Sequence, residues 1–322
     1  MNNLKKIGLS ALAGSMVAMS AQAGDMAVTG VATMSMTKGS ETGKTTYSMN
    51  NHVNFSGTTE LDNGLTITYA MELDGDEGDV GDQPASGGVD NPSITIATDG
   101  MGTLVFAGEG GSSSMSAMDD KTPNAYEEAF DGLDSSSTAV VINGHSAKNM
   151  FTYTSENMGG AVATVAFVPA EASTGNKSTY MDFGVTYTPE MVEGLTLGFA
   201  MGTTEATAGS EVDESTMYAT YAIGGLTVGY QASEFDATSA TDSDDSVAIG
   251  ISYAINDDFS VSYNEHTVDV GSTSVDQESE GISASYTMGG ITIAGHSNEM
   301  KAVGGASGTN DEGYEINVSF AF

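Results

Sequence analysis

The chain has 322 residues, with 44 acidic side chains against 8 lysines, no arginine and a net charge of −36. Nucleic acid is excluded as a partner, because binding phosphates needs clustered Lys or Arg. The absence of cysteine excludes a disulfide framework and any Cys-based metal centre, so stability must come from the fold itself.

In chain order, Lys5 and Lys6 precede a small-residue apolar stretch, Ile7 to Met19, and Ala21-Gln22-Ala23 reads as an A-x-A cleavage site. Residues 1–23 are therefore expected to be a secretory signal peptide, with the mature chain starting near Gly24. The apolar stretch is shorter than the roughly 20 residues a spanning helix needs, and no later segment reaches that length. Removing the two leader lysines leaves six against 44 acids, a mature charge of −38. Such a charge accompanies disorder when aromatic and β-branched residues are scarce. Here they are plentiful and regularly spaced.

From Gly24 onward about ten residues alternate apolar with small or polar, a turn follows, and the unit repeats, the pattern of membrane-crossing strands. In the second segment Tyr47, Met49, Val53 and Phe55 oppose His52, Asn54 and Ser56. In the third, Leu65, Ile67, Tyr69, Met71 and Leu73 oppose Thr66, Thr68, Ala70 and Glu72. Later, Phe259, Val261 and Tyr263 oppose Ser260, Ser262, Asn264 and His266, and the last segment sets Tyr314, Ile316, Val318, Phe320 and Phe322 against Glu315, Asn317, Ser319 and Ala321. Period two signals strands.

Two kinds of connector alternate. Short ones rich in residues that tolerate positive φ fall at 62–64, 99–102, 156–160, 189–194, 224–225, 256–258 and 289–290. Long ones fall at 38–44, 75–91, 109–148, 169–177, 203–214, 234–245, 270–278 and 299–312. Seven short and eight long connectors separate 16 strands. The expected class is all-β: one antiparallel transmembrane β-barrel spanning residues 24–322. A soluble sandwich would carry Lys and Glu on its polar faces, whereas here those faces hold Ser, Thr, Asn and Gly, and the apolar faces suit lipid.

The segment Ser56-Gly57-Thr58-Thr59-Glu60-Leu61-Asp62-Asn63-Gly64-Leu65-Thr66 resembles the hairpin between the second and third strands of trimeric general porins of Gram-negative bacteria, the alphaproteobacterial type especially. Thr103 to Gly108 resembles the strand that feeds their long third loop, and Phe322, closing an alternating strand, resembles their signal to the barrel-insertion machinery. The resemblance implies a homotrimer in outer-membrane lipid and lipopolysaccharide, latched by the second loop (Gly75 to Asn91). It also implies passive diffusion of small hydrophilic solutes through a pore narrowed by the inward-folded third loop, here residues 109–148. This chain departs from the family in lacking the arginines usually set on the barrel wall.

The third loop carries Glu109, Asp119, Asp120, Glu127, Glu128, Asp131 and Asp134, and its middle, Asn124 to Gly132, is expected to form a short helix ended by Gly132. Carboxylates at a constriction favour cations, so cation selectivity is expected. His52, His266 and His296 fall on the pore wall by parity, and with Lys148 they are the available counter-charges; the plainer reading is that these histidines are wetted wall residues. Asp74, Asp76 and Asp79, and Asp242 and Asp244, offer closely spaced oxygens of the kind Ca²⁺ prefers, without the EF-hand pattern; a hydrated outer surface explains them equally. No other cofactor is expected. No nucleophile elbow, H-E-x-x-H or phosphate loop is present, so catalysis is not expected. The rivals to a general diffusion pore are a substrate-selective channel of the same fold and an exported adhesin or structural β-protein.

Overall fold

The computed structural model describes residues 26–39, 43–75, 88–133, 146–170, 178–205, 211–237, 243–271 and 273–322. The expected signal peptide, with Ala21 and Ala23, lies outside them, as does most of the expected latch loop. The first half of the chain contributes β1 (Met26–Gly39), β2 (Thr45–Glu60), β3 (Thr66–Gly75), β4 (Asp90–Thr98), β5 (Gly102–Ala107), β6 (Gly111–Ser112), β7 (Ser146–Ala147), β8 (Met150–Thr154) and β9 (Ala161–Val168). The second half contributes β10 (Thr179–Tyr187), β11 (Leu195–Glu205), β12 (Glu211–Ile223), β13 (Leu226–Asp236), β14 (Asp244–Asn256), β15 (Phe259–Val270), β16 (Gln277–Met288), β17 (Ile291–Lys301) and β18 (Asn310–Ala321). Sixteen of these close one antiparallel barrel, and β6 and β7 form a separate two-stranded ladder within the third loop.

Closure joins the two ends of the described chain. β1 pairs with β18, and beyond that ladder Gly30 and Phe322 exchange both backbone hydrogen bonds, at 2.8 and 2.9 Å. The Phe322 ring lies over Gly30, and a β-carbon there would collide with it. The tightest turns, Gly224-Gly225 and Gly289-Gly290, begin with residues at φ 59° and 62°, the backbone a two-residue hairpin demands.

Parity behaves as expected through the apolar band. Tyr253, Ile251 and Ile249 on β14 and Tyr286 and Ile282 on β16 are exposed to the outside, while Ser262 and Asn264 on β15 and Ser283 on β16 are buried inside. Towards the long-loop rim the pattern inverts. On β15 the outward residues after Tyr263 are Glu265, Thr267 and Asp269, and the inward ones after His266 are Val268 and Val270, both buried. The hydrocarbon boundary therefore falls near Tyr263, and at about 3.4 Å per residue the strand carries on for about 24 Å of its own length to Val270. This corrects four loop boundaries. The loops expected at 203–214, 234–245, 270–278 and 299–312 are only 206–210, 237–243, 271–276 and 302–309, because the charged residues at their bounds are strand ends that continue past the apolar band.

On this protruding outer rim Glu265, Glu280, Glu299 and Glu312 stand directly opposite one another across β15 to β18. Tyr263 Oη lies 2.6 Å from Glu265 and 3.1 Å from Glu280, and Lys301 Nζ reaches Glu280 at 3.3 Å and Glu299 at 3.8 Å. Directly opposed like charges oppose pairing by about 0.2–1 kcal/mol each. Replacing Glu299 by Gln is therefore expected to raise the temperature at which the folded band converts to the heat-denatured one on a gel. The gain is expected to shrink in about 0.5 M salt, where screening is short-ranged.

Candidate functional site

Inside the barrel, the described chain after β5, residues 108–133, turns inward and lies along the inner wall of β10 to β18. What the wall grips is the loop's backbone. Asp182 on β10, only 3% exposed, accepts the Met115 N–H at 2.8 Å, together with the Ala166 N–H at 3.0 Å and the Tyr180 hydroxyl at 3.0 Å. Gln231 on β13 accepts the Lys121 N–H at 2.7 Å and donates to the Met118 carbonyl at 2.6 Å. Asn264 donates to the Pro123 carbonyl at 3.1 Å. Ser262 and Ser283 accept the N–H groups of Ala125 (2.9 Å) and Tyr126 (3.1 Å). Asn298 on β17 donates to the carbonyls of Glu128 (2.7 Å) and Asp131 (2.8 Å), and the Tyr126 hydroxyl donates to Glu315 on β18 at 2.7 Å. An apolar cluster under the first part of the loop, Met115 and Met118 against Ala200, Tyr218, Val268 and Val270, adds burial. The inner face is thus less uniformly polar than its period-two pattern suggests.

This grip explains a difference from expectation. Asn124 to Gly132 is a series of turns, and the only helical turn of the described loop is a 3-10 turn at Ser116–Met118. The Glu128 carbonyl, which such a helix would pair internally, is taken by Asn298, and three acids would crowd one helical stretch. Gly132, at φ 67°, does end the segment.

With its backbone occupied, the loop brings five acids together. Asp119, Asp120, Glu127, Glu128 and Asp131, with Phe130, line a cavity of about 240 Å³. Carboxylate oxygens of Glu127, Glu128 and Asp131 lie within 4.8 Å of one another. Asn124 donates to Glu128, and the Glu128 N–H donates to Asp131 at 3.2 Å. Crowding at partial burial favours the protonated form. Burial, then Asp120, pushes Asp119 up to about 7. Burial, then Asp131, pushes Glu127 up to about 7, and burial with the Asp131 hydrogen bond and the Asp120 charge pushes Glu128 up to about 9.

The other expected residues are placed as follows. Glu109 and Lys148 pair at 2.5 Å at the root of the loop, so Lys148 is neutralised rather than standing as a lumen counter-charge. His266 and His296 are on the inner wall, as parity required, but both are buried: His266 packs on Phe130 at 4.9 Å and His296 stacks on Tyr126 at 5.7 Å. They support the loop instead of lining open water. His52 on β2 faces the lumen, opposite Val31 and Asp74 in register. Asp134, Asp76, Asp79 and Asp242 and the side chain of Asp74 lie outside the described residues; Asp244 accepts the Gly271 N–H at 3.0 Å. Reading from the sequence missed Asp182, Gln231, Asn298 and Lys121. Inward parity marks the first three as lumen residues but not as loop anchors. Lys121 sits half-buried beside Asp119 and Asp120 and enters none of the three ion pairs found among the described residues.

A family model described as Gram-negative porin matches residues 8–294. Among solved structures, an anion-selective porin from Comamonas acidovorans superposes with a TM-score of 0.72 at 15% identity, covering 92% of this chain and 99% of that one. A mutant of the Rhodobacter blastica porin gives 0.68 at 17% identity, covering 92% and 100%. A loop-deletion mutant of OmpT, an outer membrane protein of Vibrio cholerae, gives 0.67 at 12%, covering 93% and 100%. No curated protein sequence matches the chain.

Hydrogen bonds to a buried charged group contribute about 1.5–3 kcal/mol each. Replacing Asp182 by Asn, which weakens the acceptor for Met115, is therefore expected to speed hydrogen exchange of the Met115 amide about tenfold or more while the barrel strands stay protected. Unchanged exchange at Met115 would show that Asp182 does not anchor the loop.

Proposed function

We propose that this chain, which belongs to the Gram-negative porin family, forms a cation-favouring diffusion pore whose filter is the acid cluster of its inward-folded loop. The family and the closed 16-stranded barrel make it a channel of the bacterial outer membrane. Small hydrophilic solutes would pass down their gradients through the part of the lumen the loop leaves open. The family alone supports extending the reading to a homotrimer set in outer-membrane lipid.

One observation carries the selectivity: five carboxylates gather on the loop, and the chain has no arginine to set against them. Carboxylate rings favour cations, and a low-dielectric wall focuses their field. The Comamonas porin is described as anion-selective, but likeness at 15% identity conveys the barrel and not its lumen charges. Selectivity resides in side chains, and here they are acidic.

Reversal potentials across a bilayer under a KCl gradient are expected to have the cation-selective sign; the anion-selective sign would overturn the proposal. Replacing Glu127 and Glu128 by Gln and Asp131 by Asn together is expected to lower the K⁺/Cl⁻ permeability ratio by about twofold or more.

Because Asp119, Glu127 and Glu128 titrate above the usual carboxylate range, they gain charge as pH rises through about 7 for Asp119 and Glu127 and about 9 for Glu128. Cation preference is therefore expected to grow between pH 6 and 9, read as a steadily larger reversal potential. The sign for loop packing is opposite. A raised folded-state pKa favours the packed loop at acid pH, and that contribution is lost as pH rises from the ordinary carboxylate value through about 7 for Asp119 and Glu127 and about 9 for Glu128, so open-channel noise is expected to grow with pH.

A further inference from the structure

We infer that Asn264 and Asn298 are positioning residues for the pore's charge filter, acting through a track on the inner wall in which glycine and asparagine alternate from Gly250 to Gly313. The track is one lateral row. Gly229, Gly250, Asn264, Gly281, Asn298 and Gly313 stand directly opposite one another, strand to strand, from β13 to β18. The loop lies on this row. A β-carbon at Gly229 would collide with the Pro123 ring, one at Gly250 would fall 2.8 Å from the Pro123 carbonyl oxygen, one at Gly281 3.1 Å from Ala129 Cα, and one at Gly313 2.6 Å from the Gly132 carbonyl oxygen.

The lengths agree. Five interstrand steps of about 4.8 Å make a row of about 24 Å. Pro123 to Gly132 spans nine residue steps, at most about 30 Å when extended, which leaves slack for the turn at Phe130 to Gly132.

The alternation has a steric reason. Directly opposed side chains start only about 5 Å apart, so two neighbouring asparagines would compete for the space under the loop. Beside a glycine, the carboxamide lies flat across the missing side chain: a β-carbon at Gly281 would overlap Asn298 Oδ1, and one at Gly250 would sit 2.5 Å from Asn264 Nδ2. Each amide then presents its N–H to a loop carbonyl. Asn264 holds Pro123 between Asp120 and Glu127, and Asn298 holds Glu128 and Asp131. Because the wall binds these residues by backbone, the side chains of Glu127, Glu128 and Asp131 remain gathered around the cavity. The row thus sets the height and path of the filter without contributing any charge.

The effect on ion preference rests on the cation-favouring reading; the seating of the loop does not. The test is single-channel recording of Asn298→Leu, which removes both donors while keeping the branched heavy-atom outline and adding no charge, and of Gly281→Val, which fills the seat. Ser252→Ala, an inward change on β14 away from the row, serves as control. Both row variants are expected to raise conductance by about 1.5-fold or more and to move the K⁺/Cl⁻ ratio towards the bulk mobility ratio, with heat-modifiable migration unchanged and the control at wild-type values. Wild-type conductance and ion preference in both row variants would overturn the inference. If either fails to assemble, Asn264→Leu and Gly281→Ala are read against the same two outcomes. An anion-preferring wild type whose row variants still gain conductance would sink the cation reading and leave the track standing.

Discussion

Hydrocarbon offers no hydrogen-bond partner, so a chain that crosses it with strands must pair every strand with another and leave no edge. That constraint explains the closure of β1 on β18, with the Gly30–Phe322 exchange extending it by one more pair of hydrogen bonds. It also explains why the lumen is available for function. A barrel of 16 strands is too wide for side chains to fill, so its inner face meets water except where something is laid upon it. In this protein the third loop is laid there. Its irregular backbone raises the same problem of pairing in miniature. The wall solves it with Asp182, Gln231, Asn264 and Asn298, each nearly fully buried and each giving or taking a hydrogen bond from the loop.

The amphipathicity of each strand records which solvent it meets. Along β15 the outer face passes from Phe259, Val261 and Tyr263 to Glu265 and Asp269, and the inner face from Ser260 and Ser262 to Val268 and Val270. One strand therefore carries two patterns of the same period and opposite phase. The first belongs to the membrane, with lipid outside and water within. The second belongs to the protruding rim, with water outside and packed loop within, where Val268 joins Met115 and Tyr218. The large negative charge is accommodated by the same division, with acids concentrated on the rim and on the loop.

This division explains what was legible beforehand. Strand number, turn positions and lumen parity follow from local rules that any ten-residue window expresses, and His52, His266 and His296 all lie on the inner wall as the alternation of their own strands requires. Strand ends were misread because the phase inversion resembles the onset of a loop. The anchors were invisible for a different reason. Asn298 and Gly281 are ordinary lumen letters until registry sets them side by side and a loop far earlier in the chain, 170 positions before Asn298 at Glu128, comes down on them. Lys148 was read as a free cation because its partner Glu109 lies 39 positions away, across the mouth of the loop.

The histidines and the acids illustrate how packing changes the meaning of a charge. Set on an open wall, His266 and His296 would be wetted groups titrating near neutrality. Beneath Phe130 and Tyr126 they are flat supports, and neither nitrogen of the His296 ring has a hydrogen-bond partner among the described residues. Asp119, Glu127 and Glu128 also lose charge, because they share one small cavity with other carboxylates and burial acts against ionisation. A filter of this kind is not measured by its formal charge. Burial and crowding hold Asp119, Glu127 and Glu128 above the ordinary carboxylate range, so near neutrality each carries less than its formal charge. The field in the pore is therefore set by how tightly the wall holds the loop. Loosening the seat separates the carboxylates and makes each more acidic while dispersing them, so seating and charge cannot be tuned independently.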